Sequence, residues 1–368
     1  MKILYLSADL RNVGPTRQTL NIIKYSGVKE SCLVLTLFDE PETTLIDLYK
    51  EEGIVVESLH QYRKLFVFSV VEKVTSYCKE HQIDVIHSNG VKSDIVAHFV
   101  AKRAGIKHVI TLRNFPMEDL SGRMNPWIGK IVAQFHLFAL KRCKYLIACS
   151  EAIAEKMRKT YGVKIMAIQN GVDTQIFNTE RGIESPYKNI GIDENSKIFI
   201  CTNSFIPRKH NDDVAKAFVM ANLDDAHLIF LGDGILLDNI KSKYAKYRNV
   251  HFLGKKKNIV PFLQYADIFV SASESEGLPN AVLEAIACGC QVMLSNIPQH
   301  REIVDELLSC GEVFPLRQVE AICKKMQELE KRTVKNKFVD GFANSPFTMK
   351  NMGRRYKSYY VDVGENAI

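Results

Sequence analysis

Ile268-Phe269-Val270-Ser271-Ala272-Ser273-Glu274-Ser275-Glu276-Gly277-Leu278-Pro279-Asn280-Ala281-Val282-Leu283-Glu284-Ala285-Ile286-Ala287-Cys288 is the stretch that decides the fold. Ile268–Ser271 reads as a short buried strand, the polar residues after it as a loop, and the apolar run as a helix through Cys288. Pro279 suits the first helical position, where a missing N–H costs nothing. Gly277 lets the backbone come close to a ligand. A helix start offers free N–H groups and a partial positive charge, a ready seat for a diphosphate. Glu284 lies among apolar neighbours on nearly every face, and only Asn280, one turn earlier, shares its polar stripe. A helix apolar almost all round is buried, so Glu284 is expected to face a polar cavity, where a carboxylate can accept two hydroxyls of a diol. The plainer alternatives are a Glu284 that faces water and a Ser273/Glu276 capping box.

The same alternation runs outward along the chain. Strand-like runs are Lys2–Leu6, Ser31–Leu37, Asp84–His87, Lys107–Leu112, Tyr145–Ala148, Lys197–Cys201, His227–Leu231, Asn249–Leu253, Ile268–Ser271 and Gln291–Leu294, with helical stretches between most of them. That is the pattern of parallel sheets built from βαβ units. Lys2–Ser7 and Lys197–Thr202 each run into a polar loop and then a helix, a weak internal echo. The turn-rich Asp173–Glu194 reads as a linker. The expected architecture is α/β: two Rossmann-like domains, residues 1–175 and 176–346, with parallel sheets facing across a cleft. Loops after strands are where such sheets bind ligands.

The chain has 368 residues, 46% hydrophobic and 25% charged, which suits two soluble domains. No apolar stretch approaches the roughly 20 residues of a membrane-spanning helix, and the start is too short an apolar run for a secretion signal. A cytoplasmic protein is expected. Nine cysteines are scattered without redox or zinc spacing and read as reduced thiols. The net charge of +7 is concentrated between Arg123 and Lys164. Such a segment is either a solvated lysine-rich face or a surface for nucleic acid, anionic lipid or a pyrophosphate-bearing substrate. Within it, Trp127–Arg142 places Ile128, Ile131, Phe135 and Phe138 on one helical face. It reads as a core helix, with docking at a membrane interface as the alternative.

Two further loops carry candidates. Asn203-Ser204-Phe205-Ile206-Pro207-Arg208-Lys209 follows a strand and sets two adjacent cations where they can neutralise a leaving diphosphate, or else form a solvated basic turn. Asp9–Thr16 holds a single glycine, Gly14, which is not the Gly-x-Gly-x-x-Gly of dinucleotide binding, so a dehydrogenase is disfavoured. His87 ends a strand and reads as structural, with ligand contact as the alternative.

The run Glu276–Gly289 resembles the Glu-x7-Glu signature of the family-four retaining glycosyltransferases of GT-B fold. Ser295–Val304, Gly232-Asp233-Gly234, His251–Gly254 and Asn170–Asp173 continue the similarity, which spans most of the chain. The resemblance implies that Glu276 touches the donor sugar and Glu284 the ribose, with the backbone at Gly277, Leu278, Asn280 and Ala281 near the diphosphate. It adds Asn203, Ser204, Gly232 and Gly254 to the donor site. It makes Gly14 the counterpart of a glycine loop that approaches the donor phosphates and the acceptor. The family often carries an arginine five positions before the lysine matched by Lys209; here that position is Ser204, and Arg208 is the candidate to supply the charge. Many relatives carry a cleft histidine where this chain has Arg113, which becomes a candidate for an anionic group. No Asp-x-Asp motif occurs, and no metal or other cofactor is expected.

The expectation is thus a retaining glycosyltransferase. Its donor would be a UDP-hexose or UDP-N-acetylhexosamine, and its acceptor a glycan or lipid-linked glycan of surface polysaccharide. The amino-terminal domain would take the acceptor, the second domain the donor, and a helix over 347–368 would pack back on the first. Contact with the inner face of an anionic membrane is anticipated, and no nucleic-acid partner. The rivals are a nucleotide-sugar 2-epimerase on the same fold and a non-catalytic glycosyltransferase-like protein.

Overall fold

The structure is a computed structural model that describes residues 1–60, 67–116, 126–182, 184–331 and 339–365. The chain divides into two compact units, Met1–Gly171 with Met349–Ile368, and Val172–Thr348. Each is a parallel sheet with helices on it.

In the first unit, β1 (Ile3–Ser7), β2 (Cys32–Thr36), β3 (Val56–Ser58), β4 (Val85–Ser88), β5 (Lys107–Leu112), β6 (Tyr145–Ala148) and β7 (Met166–Ala167) form a sheet of order β3-β2-β1-β4-β5-β6-β7. Ile3 pairs with Cys32 on one side and Val85 on the other. In the second unit, β8 (Lys197–Thr202), β9 (Ala226–Leu231), β10 (Val250–Phe252), β11 (Ile268–Ser271), β12 (Gln291–Ser295) and β13 (Gly311–Phe314) take the order β10-β9-β8-β11-β12-β13. The winding is the same in both, which accounts for the internal echo. Central strands are apolar along their length because helices cover both faces. In each sheet the strand order reverses beside its first strand, between β1 and β4 and between β8 and β11. A crevice opens at the carboxyl ends there.

Several expectations need correction. β3, β7 and β13 were not foreseen: they are short, lie toward the sheet edges, and read as mixed polar sequence such as Val56-Glu57-Ser58. Asp173–Glu194 is no free linker. Within it Tyr187 is buried and its hydroxyl donates to the Phe262 carbonyl (2.6 Å), while Arg181 Nε donates to the Gln264 carbonyl (2.9 Å). The segment belongs to the second unit, which begins at Val172.

Helix Pro126–Arg142 is the largest correction. Its buried face is Ala133, His136, Leu137, Ala139 and Leu140, whereas Ile128, Ile131, Phe135 and Phe138 are exposed by 52%, 59%, 60% and 41%. This helix packs on helix Val91–Ala104, with His136 bonded to Asp94. Arg123 of the basic segment lies outside the described residues.

The last helix, Met349–Glu365, packs on helix Gly14–Tyr25 and sends Met352, Tyr356, Tyr360 and Val363 into the core around Ile3 and Tyr5. Tyr360 Oη bonds both Tyr5 Oη and His87 Nδ1 at 2.6 Å, and His87 Nε2 meets Thr111 Oγ1 at 2.8 Å. Burial, with Arg113 nearby, pushes the His87 pKa well below the usual histidine range. His87 is a core histidine. All nine cysteines are free thiols, and burial raises the pKa of those in the cores, Cys201 and Cys290 among them.

Candidate functional site

The crevice of the second unit is built by two loops, one after β8 and one after β11, and several bonds tie them together. The Glu274 amide donates to the Arg208 carbonyl (2.9 Å), and Arg208 Nη1 donates to the Ser275 carbonyl (2.5 Å). His210 Nε2 meets Glu274 Oε2 at 3.0 Å. Pro207–Lys209 forms one 3-10 turn that ends at His210, whose φ of +50° reverses the chain.

At the centre lies Glu276, its side chain nearly buried, with Lys209 Nζ bonded to Oε1 and Arg208 Nη1 at 3.4 Å from Oε2. Burial by itself would raise the Glu276 pKa, but the charges of Lys209 and Arg208 outweigh it and hold the carboxyl at about 2. It is ionised at neutral pH. His300 stands close by, fully buried. Its Nδ1 lies 2.8 Å from the Ser295 carbonyl, which assigns the proton to Nδ1 and leaves Nε2 a bare acceptor, buried without a partner. Burial lowers its pKa to about 4, so the ring is neutral at pH 7.

The loop after β8 also lines a cavity of about 300 Å³, where Asn203 and Ser204 are joined by Gly232 and Asp233 after β9, Lys255 and Lys256 after β10, and Glu284. Thr202 Oγ1 and Asn203 Oδ1 are buried there without hydrogen-bond partners. Gly232 (φ +154°) must be glycine, because a Cβ would sit 1.9 Å from the Asn203 carbonyl oxygen. Its amide donates to the Gly254 carbonyl (3.1 Å), which brings Gly254, in the left-handed region at φ +67°, into the same wall.

Helix Asn280–Ala287 begins one residue later than expected, with Pro279 as its N-cap, and stops before Cys288. No side chain caps that N-terminus. Gly277 lies in the turn that leads into it and Asn280 and Ala281 are its first residues, while the Leu278 side chain is buried and offers only backbone. One turn on, Glu284 reaches the cavity, as its polar stripe indicated.

Thus Glu276, Lys209 and Arg208 meet in one ion cluster, and Asn203, Ser204, Gly232 and Glu284 share one cavity. Gly14 and Arg113 belong to the first unit. Gly14 opens helix Gly14–Tyr25, and Arg113 lines a pocket at the ends of β1, β4 and β5. Sequence reasoning missed His300, Lys255 and Lys256. The lysines stand directly after Gly254 at a strand end, a legible signal; the burial of His300 is set by packing and had none. Among the described residues no group of three His, Cys, Asp or Glu could hold a metal ion.

Residues 184–339 match the family described as glycosyl transferases group 1, and residues 34–176 match glycosyltransferase family 4. The Escherichia coli UDP-Gal:alpha-D-GlcNAc-diphosphoundecaprenol alpha-1,3-galactosyltransferase is 26% identical over 78% of each chain. The Escherichia coli O-antigen biosynthesis glycosyltransferase WclY is 25% identical over 98% of each. Among solved structures, Anabaena HepE in complex with UDP and glucose superposes with a TM-score of 0.81 at 17% identity, covering 98% of this chain and 99% of that one.

Proposed function

The chain belongs to the group 1, family-four glycosyltransferases, and from that premise we propose that it is a retaining, metal-independent enzyme of surface-polysaccharide synthesis. It moves a hexose or N-acetylhexosamine from a UDP-sugar to a sugar carried on a lipid diphosphate. The observation that carries this reading is the ion cluster at the second unit's switch point, where Lys209 and Arg208 are held by one buried carboxylate.

In the cluster, Lys209 and Arg208 stabilise charge that grows on the departing diphosphate, and the uncapped start of helix Asn280–Ala287 adds its dipole. Two fixed cations do there what a divalent metal does elsewhere. Glu276, already ionised, accepts hydroxyls of the donor sugar, and Glu284 in the adjoining cavity accepts those of the ribose. The acceptor class follows the named relatives, one of which uses a diphosphoundecaprenol-linked sugar. The exposed Ile128–Phe138 face, flanked by the exposed Lys130, Lys141 and Arg142, is read as contact with an anionic bilayer that carries such an acceptor.

The test is a screen of UDP-, GDP-, ADP- and TDP-sugars for hydrolysis and transfer, run with a chelator present. Turnover of a UDP-sugar with an axial anomeric product, seen by NMR, is expected. An equatorial product rules out retention; activity lost to the chelator rules out metal independence. UDP binding without turnover of any donor would make the protein a non-catalytic relative.

A further inference from the structure

The first unit has a pocket of its own, about 300 Å³, at its own switch point. Two helices begin on it. Helix Gly14–Tyr25 has Val13 as N-cap and helix Val91–Ala104 has Gly90; neither N-terminus carries a side-chain cap, and the first has no acidic residue in its opening turn. The carboxylates that line the pocket are already engaged. Asp9 holds Arg11 through Oδ1 and Oδ2. Asp94 accepts from Ser88 Oγ at Oδ1 and from His136 Nε2 at Oδ2, both at 2.7 Å.

Arg113 is not so engaged. Its Nη1 donates to Asn170 Oδ1 (2.7 Å), but Nε and Nη2 are buried without a hydrogen-bond partner among the described residues. Three cations line the pocket; Arg11 is paired with Asp9, but among the described residues no carboxylate lies within ion-pair reach of Arg113 or of Lys92. His136, 2% exposed, completes the lining. With Nε2 against Asp94, its Nδ1 is buried without a hydrogen-bond partner among the described residues. A buried polar group without a partner calls for one, and a ligand of matching chemistry can supply it. Here they are a guanidinium fork and two helix N-termini, all donors that favour negative charge, with the unpartnered His136 Nδ1 beside them.

We propose that this pocket is a phosphoryl-binding site that receives the diphosphate joining the acceptor sugar to its lipid. Arg113 grips the phosphoryl oxygens, and His136 Nδ1 bonds a hydroxyl of the adjoining sugar. The proposal rests on the acceptor class given above. The leaving diphosphate of the donor has its own cations in the second unit, Lys209 and Arg208, so a second set of donors calls for a second anion.

The experiment uses the full chain with UDP at saturation and inorganic pyrophosphate as the probe in calorimetry. Wild type should bind pyrophosphate, and Arg113→Gln should weaken that binding at least tenfold; unchanged affinity overturns the site. Kinetics then separates the sources of phosphoryl oxygen, with one sugar presented on a lipid diphosphate or as a simple alkyl glycoside. Wild type should prefer the diphosphate at least tenfold in kcat/KM, and Arg113→Gln should bring the two within about twofold at unchanged donor KM. A raised donor KM with the acceptor preference intact gives the site to the donor and overturns the proposal. An equal loss on both acceptors makes Arg113 merely structural and overturns it too. Should Arg113→Gln fail to fold, Arg113→Lys keeps the charge but loses the fork, and should weaken pyrophosphate binding and narrow the acceptor preference at least threefold against wild type; wild-type values in both assays overturn the site. If no donor turns over at all, the proposed function fails, while the pyrophosphate titration still decides this site.

Discussion

Glu276 and Glu284 show what a residue type reveals and what only its surroundings decide. Glu276 sits in a loop against Lys209 and Arg208; Glu284 sits in a helix at the wall of a polar cavity. Glu284→Gln keeps the shape and loses the charge, and hydrogen bonds to a charged group are worth about 1.5–3 kcal/mol. UDP affinity measured by calorimetry should therefore fall about tenfold or more, whereas Glu276→Gln should leave it nearly intact and lower transfer from the intact donor. The opposite pattern would reverse the orientation of the donor. Glu276 also sets a pH dependence. Its folded pKa of about 2 lies below the ordinary carboxylate value, so its stabilisation is complete above about pH 4.5 and is lost as pH falls toward 2. His300, held neutral with a pKa of about 4, already erodes stability as pH drops below about 6.5, because protonation favours the unfolded chain. In melting curves from pH 7 to 3, Glu276→Gln should start lower, its Lys209 unpaired, and converge on wild type below pH 4.5. Parallel curves would show that the ion cluster does not govern acid unfolding. Both glutamates were legible because a carboxylate beside glycine and proline, or alone in an apolar helix, is a rare pattern. The coupling of Glu276 to His300 was not, since it depends on tertiary burial.

Helix Pro126–Arg142 was legible as a helix and misread as to its face. Hydrophobic spacing marks the widest apolar stripe, and here that stripe is Ile128, Ile131, Phe135 and Phe138, yet the buried face is Ala133, His136, Leu137 and Leu140, with His136 bonded to Asp94 of helix Val91–Ala104. Close packing rewards fit over size. The exposed face, with Arg142 stacked 3.8 Å from the centre of the Phe138 ring, should bind vesicles that contain anionic lipid and release them as salt rises. Ile131→Ser with Phe135→Ser should lose that binding at unchanged melting temperature, because both side chains already stand in water. Sedimentation with neutral vesicles alike, or self-association of wild type abolished by the same changes, would count against a membrane. A second element makes an opposite point. At Gly353 an added Cβ would lie 2.2 Å from the Tyr25 carbonyl oxygen, so the last helix must shift to admit Ala. Alanine favours a helix by about 1 kcal/mol over glycine, but overpacking of this kind costs about 1–3 kcal/mol. Gly353→Ala should lower the melting temperature of the first unit; a rise would mean that helix propensity wins.

At the scale of the whole molecule the chain leaves the first unit at Gly171, builds the second as Val172–Thr348, and returns from Met349. The two parallel sheets were legible because apolar strand-like runs such as Ile3–Leu6 and Ile268–Val270 alternate with helical stretches. The division at Val172 was not, because the polar Asp173–Glu194 owes its place to single anchors such as Tyr187. The return has an energetic consequence. Met352, Tyr356, Tyr360 and Val363 are buried in the first unit, and Tyr360 closes the bonds to Tyr5 and His87. Burying one such side chain contributes about 1.5–3 kcal/mol, so four contribute about 6–12 kcal/mol, as much as the whole stability of a typical domain at about 5–15 kcal/mol. A chain ending at Thr348 should therefore lose the first unit and keep the second, whose core draws nothing from the removed helix. Hydrogen exchange should find β1, β4 and β5 unprotected while β8, β9 and β11 keep their protection. UDP binding should survive within a few-fold, since its proposed cavity lies wholly in the second unit, while transfer is abolished. Protection retained in β1 and β4 would show that the first sheet holds without its returning helix, and that the crossing serves some end other than stability.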